Sequence, residues 1–528
     1  MASWQGPRAQ HQPMTEVAMH HTSHFARQTP ERPAAIFLPN GGQLSFGQLE
    51  QEANRAAHAM RALGLSHGDC IGISITNRPE FLTVMLGAQR IGLYYVLLST
   101  KLSVNDMAYV AEDSGAKAVV ISTGCFAAED LDALVDFKVP LLGIGLPESA
   151  MPSWTALTAQ QPASLPDDTV RGREMLYSSG TTGRPKGIRK PLSGQDYDWD
   201  DPMNSATAKG LALDSGSVFL SPSPLYHAAP HRFLNAALHS GATAIIPERF
   251  DARMALEAIG TFRCTHSLWV PTMFHRMLQL PGEVRSAVDL SSHLHAVHGA
   301  APCPVHVKRK MIDWWGPILD EYYSGSEGIG STMITSAEWL AHPGSVGKPR
   351  DAVVHILDPD GSELPNGETG DIYFETKAKF EYWGKSKGLD KIASTRGWHT
   401  FGDVGHLDAD GYLYLTDRRH FTIISGGVNI YPQEIESAFL EHPAVHDVAV
   451  IGVANEEFGQ EVRAVIQLAE SIEASAELKV ALREFIRKRL GPVKTPKGIE
   501  FVADFPRHAT GKLYKQDLIA RFSQARPR

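Results

Sequence analysis

Cysteine, long apolar runs and excess positive charge are all scarce in this sequence. Its 528 residues include four cysteines. These lie far apart with no CxxC pair, so neither a disulfide framework nor a zinc cluster is expected. No run of roughly eighteen apolar residues occurs, and a membrane-spanning helix is therefore not expected. The N-terminus lacks the apolar core of a secretory signal, which favours a cytoplasmic location.

The charge balance is acidic, with a formal net charge of −9. Nucleic-acid phosphates require a basic protein face, so nucleic acid is not expected as a partner. The hydrophobic content of 43% and the charged content of 21% are typical of a globular protein with a substantial core. Because single cores rarely exceed roughly 250–300 residues, the length predicts at least two domains.

Two clusters of possible metal ligands occur near polar segments. The first is the histidine group His20, His21 and His24. It has no cysteine and only one carboxylate nearby, so we expect a solvated, loosely ordered tail. The second is the acidic stretch DYDWDDP (196–202), which lacks the glycine and the distant glutamate of an EF-hand. We expect it to be a solvated acidic loop.

Strand and helix patterns alternate along most of the chain. CIGISI (70–75) and AKAVVIS (116–122) are typical of strands, whereas residues 45–63 place small or apolar side chains on one helical face after Ser45, a candidate N-cap. This alternation predicts an α/β fold with parallel-type sheets covered by helices. We assign a large, multi-subdomain N-terminal body to residues 1–416.

The pattern changes near residue 415. Beyond it lie two or three strand patterns and three helix patterns, which predict a small α+β domain over residues 417–528. The junction LTDRRHF (415–421) is the natural hinge candidate, centred on 417–420. The small domain is therefore predicted to act as a mobile lid on the larger body.

The densest cluster of small residues is YSSGTTGRPKG (177–187). It lacks the Gly-Lys-Ser/Thr ending of the kinase-type phosphate loop. Its glycines nevertheless let backbone N–H groups approach an anion closely, its serines and threonines add hydroxyl donors, and Lys186 adds a positive charge. Considered alone, the segment is compatible with either a phosphate site or a flexible linker.

Four later segments, in a fixed order, narrow the choice. They are DEYYSGSEG (320–328), GWHTFGDVGHLDADGYLYLTDRR (397–419), ISGGVNIYPQEIE (424–436) and PRHATGKLYK (506–515). Together with the glycine-rich loop they resemble the adenylate-forming superfamily, which includes acyl-CoA synthetases, adenylation domains of peptide synthetases and luciferases. The resemblance covers nearly the whole chain and is greatest for fatty-acid or aryl-acid CoA ligases.

The resemblance implies an ATP site. The glycine-rich loop would embrace the triphosphate, Tyr323 would lie along adenine, and Asp403 would accept hydrogen bonds from both ribose hydroxyls with Arg418 beside it. The residues implied to bind ATP or AMP are Ser178, Ser179, Gly180, Thr181, Thr182, Gly183, Lys186, Gly299, Ala300, Ala301, Tyr323, Ser324, Gly325, Ser326, Asp403 and Arg418.

The resemblance also implies catalytic roles. Glu327 and Thr182 would hold Mg²⁺, and Lys512 would approach the α-phosphate during adenylation. Gly426 and Gly427 would line the passage of the pantetheine arm of coenzyme A. Considered singly, Glu327 is equally typical of a helix cap and Lys512 of a solvated lysine. Only the joint pattern favours the catalytic interpretation.

A few positions depart from the superfamily pattern. Phe401 stands where threonine is usual, which puts any hydroxyl contact there in doubt. Ser324 and Ser326 stand where glycine and threonine are commoner, which is a milder change. His420 occupies the hinge position that usually holds aspartate or lysine. If His420 is the pivot, its titration near neutral pH would bias the lid.

The acid substrate is expected beside the α-phosphate. Amino-acid-activating members normally carry an aspartate that holds the α-ammonium, and residues 215–250 contain none. We therefore expect a hydrophobic acid, either fatty or aromatic. Ordinary core packing is the alternative explanation for the aromatic residues of this region. The residues predicted to line the acyl pocket are Tyr226, His227, Trp269, Gly299 and Gly325.

Coenzyme A is the simplest acceptor, because the sequence stops thirteen residues after Lys515 without a carrier domain. The predicted activity is therefore an AMP-forming acid:CoA ligase that uses ATP, Mg²⁺ and coenzyme A. The alternatives are a fatty acyl-AMP ligase that loads a separate carrier protein, luciferase-type oxidation, and a nucleotide-binding homologue without turnover. A homodimer is compatible with a body of this size.

Overall fold

The computed structural model describes residues 21–125, 137–178, 185–378, 380–384, 396–426, 428–455, 457–470, 472–505, 513 and 515–523. The helices are α1 (Thr22–Gln28), α2 (Phe46–Ala62), α3 (Pro79–Arg90), α4 (Val104–Ser114), α5 (Trp154–Ala159), α6 (Pro202–Gly210), α7 (Ala228–His239), α8 (Ala252–Thr261), α9 (Pro271–Leu278), α10 (Gly282–Ser286), α11 (Val305–Trp315), α12 (Ser336–Ala341), α13 (Pro432–Phe439), α14 (Ala476–Leu490) and α15 (Lys515–Ser523).

Strands make up three sheets. They are β1 (Pro33–Leu38), β2 (Gly42–Ser45), β3 (Cys70–Ser74), β4 (Tyr94–Leu97), β5 (Ala116–Ser122), β6 (Leu141–Ile144), β7 (Arg173–Ser178), β8 (Lys186–Arg189), β9 (Val218–Leu220), β10 (Thr243–Pro247), β11 (His266–Trp269), β12 (His295–His298), β13 (Leu319–Ser324), β14 (Ser331–Ile334), β15 (Ser345–Pro349), β16 (Val353–Leu357), β17 (Gly370–Glu375), β18 (Glu381–Trp383), β19 (Asp403–Leu407), β20 (Leu413–Arg418), β21 (Ile423–Ser425), β22 (Val428–Ile430), β23 (Val445–Asn455), β24 (Gly459–Leu468) and β25 (Gly498–Val502).

Two of the sheets form the N-terminal body. The larger has the order β16-β17-β19-β20-β15-β14-β13-β12-β11-β9-β10-β1-β2, and the smaller has the order β18-β8-β7-β4-β3-β5-β6. In the smaller sheet the strands from β6 to β7 pair in parallel, whereas β8 and β18 extend it in antiparallel fashion. In the larger sheet the strands from β13 to β1 pair in parallel, and those from β13 to β16 pair in antiparallel fashion. The predicted α/β body with helix-covered sheets is confirmed.

Local sequence explains how the helices of the body begin. Ser45 caps α2 through a reciprocal capping box with Gln48, and α3 starts with Pro79, whose fixed φ suits the first helical turn. Small side chains then let α2 and α3 approach closely, because a Cβ added at Gly87 would lie 2.7 Å from Cβ of Ala56. Helix α3 packs against β3 and β4 of the smaller sheet, and α2 packs against β1 and β2 of the larger one.

The histidine group near the N-terminus differs from the expectation. His21 is only 4% exposed and is the N-cap residue of α1. Its ring makes an edge contact with Tyr197 at 5.0 Å and lies 4.9 Å from the ring of His239. The prediction of a solvated tail is therefore wrong for His21. The partners that bury it lie far along the chain, where local composition gives no indication of them.

Tyr197 also changes the picture of the acidic stretch 196–202. Its side chain is buried, while Asp196, Asp198 and Asp200 around it are exposed. The Asp201 carboxylate accepts a hydrogen bond from the backbone N–H of Met203 and caps α6. The segment is thus an acidic loop, as expected, that is fixed to the body by one aromatic side chain.

The C-terminal domain contains more strands than expected. Strand β24 pairs with β23 and β21 in antiparallel fashion and with β25 in parallel fashion, and β21 forms a hairpin with β22. Two or three strands were predicted, and this count is wrong because the hairpin was missed. Each of its strands has only three residues, which is too short for a periodic pattern to emerge.

A buried ion pair supports β13, the strand that carries Tyr323. Lys308 on α11 has no exposed side-chain surface, and its Nζ lies 2.7 Å from Oε2 of Glu321. Burial raises the pKa of Glu321, and Lys308 opposes that shift. Lys308 also lies over the ring of Trp339, 5.0 Å from its centroid.

Among the described residues, no helix is long and apolar enough to cross a bilayer.

Breaking the Lys308–Glu321 pair should be costly. Lys308→Met leaves the Glu321 carboxylate buried without its cation, so we expect the free energy of unfolding to fall by about 3–5 kcal/mol. Lys308→Met combined with Glu321→Leu should recover most of the loss. Chemical denaturation measures both variants. Arg253→Met, which breaks an exposed pair of 4.0 Å with Glu257, is the control and should cost less than about 1 kcal/mol. A double variant as unstable as the single one would contradict this account.

Candidate active site

Two neighbouring strands present the glycine-rich loop. Strand β7 ends at Ser178 and β8 begins at Lys186, and these two residues pair across the antiparallel ladder. The loop therefore connects the adjacent ends of two paired strands. Five of the predicted ATP-binding residues lie outside the described residues: Ser179, Gly180, Thr181, Thr182 and Gly183.

Tyr382 contacts both Lys186, at the end of the glycine-rich loop, and Glu327. It lies on β18, which pairs with β8. Its hydroxyl donates a hydrogen bond to Oε1 of Glu327 at 3.2 Å, and Nζ of Lys186 lies 5.8 Å from the centroid of its ring. A cation at this distance from an aromatic face is attracted to it. Sequence reasoning missed Tyr382, because nothing near it in sequence indicates its partners.

Asp403 and Arg418 form the second group of site residues. They pair across the β19–β20 ladder, and Nε of Arg418 lies 3.1 Å from Oδ1 of Asp403. The hydroxyl of Tyr323 donates to the other carboxylate oxygen at 2.6 Å. Burial and the Asp403 carboxylate raise the pKa of Tyr323 well above its usual value, so this phenol stays a donor. The arrangement brings together three predicted nucleotide-binding residues.

The loop after β12 approaches the aromatic pair of β13 closely. A Cβ at Gly299 would lie 2.6 Å from the ring of Tyr322, so a side chain there would clash. The next residue, Ala300, has a φ of +66°, which is a strained conformation for a residue with a side chain. Ala301 follows at intermediate exposure. The backbone of this predicted adenine-binding segment is therefore held in an uncommon conformation.

Phe401 has a packing role that the sequence did not indicate. Its ring makes an edge contact with Tyr323 at 5.7 Å and lies 5.1 Å from the ring of Phe374. A Cβ at Gly325 would lie 2.2 Å from the same ring. The aromatic side chain at this position therefore fills the space beneath the 324–328 loop. Ser324 stabilises that loop by donating to the carbonyl of Gly330 at 3.0 Å, and Ser326 is half-buried within it.

The predicted acyl-pocket residues divide into two groups. Tyr226 and His227 are adjacent at the start of α7, with ring centroids 4.4 Å apart. Trp269 instead has no exposed side-chain surface, and its ring lies 5.4 Å from Trp315 and 6.1 Å from Phe274 in the core. These contacts favour core packing, the alternative interpretation, and a role of Trp269 in the acyl pocket stays a prediction.

The predicted hinge joins two well-anchored strands. Nη1 of Arg419 lies 2.7 Å from Oδ2 of Asp371 on the body, and Asp417 accepts a hydrogen bond from the backbone N–H of Gln433 at the start of α13. His420 lies in a single 3₁₀ turn, Arg419–Phe421. The hinge position therefore lies between Arg419, which contacts the body, and Asp417, which contacts the C-terminal domain.

Two predicted lid residues, Gly427 and Lys512, lie outside the described residues. The described residues near them include Gly426 and Lys515. Gly426 has a φ of +57° and donates to the carbonyl of Phe458 at 2.9 Å. Lys515, three positions after Lys512, lies 2.7 Å from Glu436. Helix α15, which begins at Lys515, is therefore anchored to α13 of the same small domain.

The residues fit Mg²⁺ only in part. Glu327 offers a carboxylate, which is the kind of oxygen ligand that this ion prefers. Asp403 is already engaged with Arg418 and Tyr323, so Glu327 is the carboxylate available to the ion. Thr182, the second predicted ligand, lies outside the described residues.

Residues 22–381 match the AMP-binding enzyme family, and residues 434–512 match the AMP-binding enzyme C-terminal domain. The chain belongs to the AMP-binding enzyme family. The predicted superfamily, fold class and enzymatic nature are therefore confirmed. The carboxylates Glu327 and Asp403 both lie in segments that sequence reasoning connected with this family. The individual roles of these residues stay predictions.

Relatives of this AMP-binding enzyme act on different acids and acceptors. Fatty acid–[acyl-carrier-protein] ligase ScoC from Streptomyces coeruleorubidus is 29% identical, with 97% of this chain and 98% of that protein covered. A 2-succinylbenzoate–CoA ligase from Bacillus licheniformis is 30% identical, with coverage of 93% and 98%. The crystal structure of ATP-bound MatB from Rhodopseudomonas palustris has a TM-score of 0.78 at 26% identity, with coverage of 96% and 99%.

The contact between Gly325 and Phe401 makes a specific prediction for this AMP-binding enzyme. Gly325→Ala would push the ring of Phe401 against Tyr323 at a cost of about 1–3 kcal/mol, so AMP binding should weaken by roughly tenfold. Gly325→Ala combined with Phe401→Thr should restore most of the affinity, because threonine frees the space. Isothermal titration with AMP measures both. Gly282→Ala, where an added Cβ meets nothing within 4 Å, is the control. Equal weakening in the single and double variants would contradict the packing argument.

Proposed function

We propose that this enzyme is an AMP-forming carboxylic acid:CoA ligase. It would first join a hydrophobic carboxylic acid to AMP, with release of pyrophosphate, and then transfer the acyl group to the thiol of coenzyme A. One observation carries the proposal. Tyr382 contacts both Lys186 of the glycine-rich loop and Glu327, and this neighbouring cation and carboxylate support a site for triphosphate and Mg²⁺.

The nucleotide would be oriented by the second group of residues. An ionised carboxylate can accept hydrogen bonds from both hydroxyls of a ribose, and such charge-assisted bonds are strong. Asp403 is buried, paired with Arg418, and bonded to Tyr323. These contacts fix the carboxylate before the nucleotide arrives, so little ordering would be needed on binding. Tyr323 would contribute its ring to adenine recognition.

The adenylation step needs positive charge at the α-phosphate. Attack by the acid carboxylate builds negative charge on the phosphate oxygens, which Lys512 from the lid would stabilise electrostatically. Mg²⁺, held by Glu327, would add Lewis-acid stabilisation of the same charge. Lys186 would bind the triphosphate. In the second step the lid would move so that the Gly426 side admits the thiol of coenzyme A.

The residues before α7 support the nature of the acid. Tyr226 is buried, and His227 is the N-cap residue of this helix. Burial raises the pKa of the Tyr226 phenol, so this side chain stays neutral. Residues 215–250 contain no aspartate, and their one acid, Glu248, is exposed, which argues against binding of an α-ammonium group. A fatty or aromatic acid is the proposed substrate class.

The second candidate acceptor is a carrier protein. It is favoured by the likeness to the ScoC protein, whose name describes a fatty acid–[acyl-carrier-protein] ligase. The likeness to a 2-succinylbenzoate–CoA ligase supports coenzyme A. Product analysis separates the two. Incubation with ATP and a panel of fatty and aromatic acids should give acyl-CoA when coenzyme A is present. Accumulation of acyl-AMP that ignores coenzyme A would favour the carrier protein, and no pyrophosphate release with any acid would overturn the proposed function.

The lid lysine should matter for only one half-reaction. Lys512→Ala should reduce adenylation, followed as ATP–pyrophosphate exchange, by at least about 10²-fold, because removal of a group that stabilises transition-state charge has effects of this size. Thioester formation from preformed acyl-AMP should be largely spared. Lys488→Ala, an exposed position on α14, is the control. Equal loss in both half-reactions would refute the division of labour.

Asp403→Asn tests nucleotide recognition. The substitution keeps the shape of the side chain but removes the charge that strengthens both ribose hydrogen bonds, and it leaves Arg418 without its carboxylate. We expect KM for ATP to rise by roughly tenfold or more, since charge-assisted bonds contribute about twice as much as neutral ones. Steady-state kinetics with ATP varied measures the effect. Asp410→Asn, in the exposed DADG turn, should leave KM unchanged, and an unchanged KM for Asp403→Asn would exclude the ribose role.

A further inference from the structure

A small polar cavity lies between α3, β7, α6 and α7. Its volume is about 20 Å³, and its lining includes Gln89, Arg173, Glu174, His231 and Asn235. A space of this size accommodates one or two atoms of the size of a water oxygen. None of these residues belongs to the ATP site described above. The cavity is therefore a separate feature of the body.

Positive charge is in excess around the cavity. Three guanidinium groups line it, from Arg171, Arg173 and Arg232, against the two carboxylates of Glu174 and Asp201. Nε of Arg232 lies 3.3 Å from Oε1 of Glu174. Burial alone would raise the pKa of Glu174, but Arg232 and Arg173 outweigh it and hold the pKa at about 2. Arg232 and Glu174 are therefore both charged, and the excess positive charge lies with Arg171 and Arg173.

The two remaining arginines donate mainly to neutral groups. Nη1 of Arg171 donates to the carbonyl of Tyr197 at 2.8 Å, and Nη1 of Arg173 donates to the carbonyl of Pro191 at 2.7 Å. Within the described part of the chain, neither has a carboxylate within 4 Å, and Nε of Arg173 is buried without an acceptor. Arg173 is half-buried and shares Glu174 with Arg232, so three guanidinium groups face two carboxylates around the cavity. An anion in the cavity would supply the missing counter-charge.

The histidine of the cavity provides a second unpartnered donor. Nε2 of His231 lies 3.0 Å from the hydroxyl of Tyr95 and 3.1 Å from Nδ2 of Asn235. Gln89 donates to the Tyr95 oxygen, which leaves the hydroxyl hydrogen for His231. These contacts fit the tautomer in which Nε2 accepts and Nδ1 carries the proton. Burial lowers the pKa of His231 to about 4, so the ring is neutral near pH 7.

No described group accepts a hydrogen bond from this Nδ1–H, although the His231 side chain is only 1% exposed. Buried donors in folded proteins almost always have a partner. We propose that the cavity binds a small monovalent anion, a halide or the tip of a carboxylate, between Arg173 and His231. One negative charge balances the surplus arginine and accepts from both unpartnered donors, whereas water would also serve the unpartnered oxygens of Gln89 and Asn235 in the same lining.

Two sources could supply this chemistry. One is a free halide such as chloride. The other is a distal carboxylate on the acid substrate, because His231 and Arg232 follow His227 on the same helix, α7; this second source rests on the proposed function. Both would interact with the same two donors. The experiment therefore measures binding through stability, without ATP, coenzyme A or turnover.

The test is thermal unfolding of the full chain at constant ionic strength, with gluconate replaced stepwise by chloride or bromide. A bound anion stabilises the folded state by mass action, so we expect a saturable rise in Tm of about 2 °C or more. Arg173→Gln should abolish the rise. Arg253→Gln, at an exposed position, should retain it. Anomalous scattering from bromide in crystals of the wild-type protein should show a peak in the cavity, which keeps the test decisive if Arg173→Gln fails to fold.

A parallel series compares glutarate with butyrate in gluconate buffer. A rise in Tm with glutarate alone, lost in Arg173→Gln, would assign the site to a substrate carboxylate. A rise with halide would assign it to a free ion. No rise with either, or the same rise in Arg173→Gln, would show a water-filled cavity and overturn the proposal. None of these outcomes depends on whether the enzyme makes acyl-CoA.

Discussion

The antiparallel ladder β7–β8–β18 fixes the relative positions of the main site residues. Strand β8 returns directly from the glycine-rich loop, and β18 then places Tyr382 beside it. From there, one hydroxyl reaches Glu327 on the loop after β13, which belongs to the other sheet of the body. Because Tyr382 contacts both Lys186 and Glu327, it connects the two sheets of the body at this point.

The larger sheet contributes the Asp403 carboxylate, whose position is fixed by its contacts within the protein. Asp403 carries a negative charge in a nearly buried position, where an isolated carboxylate would be unfavourable. Arg418 supplies the counter-charge and Tyr323 supplies a hydrogen bond, so the carboxylate is stabilised without a ligand. Phe401 packs against the ring of Tyr323. Rigidity here is thus obtained from packing as much as from charge.

Sequence reasoning predicted some residues well and missed others for a physical reason. Asp403 and Arg418 stand in one continuous hairpin, and their segment could be recognised from local order and spacing. Tyr382 and Phe401 act through contacts with residues more than fifty positions away, and no local pattern encodes such a contact. Trp269 shows the converse, since an aromatic side chain near the expected pocket turned out to pack in the core.

The sequence by itself determined the family, the alternation of strands and helices, and the glycine-rich loop, because each depends on the order of residues along the chain. Only the tertiary structure decided which side chains meet. The burial of His21 against Tyr197 and the surplus of arginines around a small cavity both arise where separate elements are brought together. Burial and charge balance are properties of such a neighbourhood, and a neighbourhood exists only after the chain has folded.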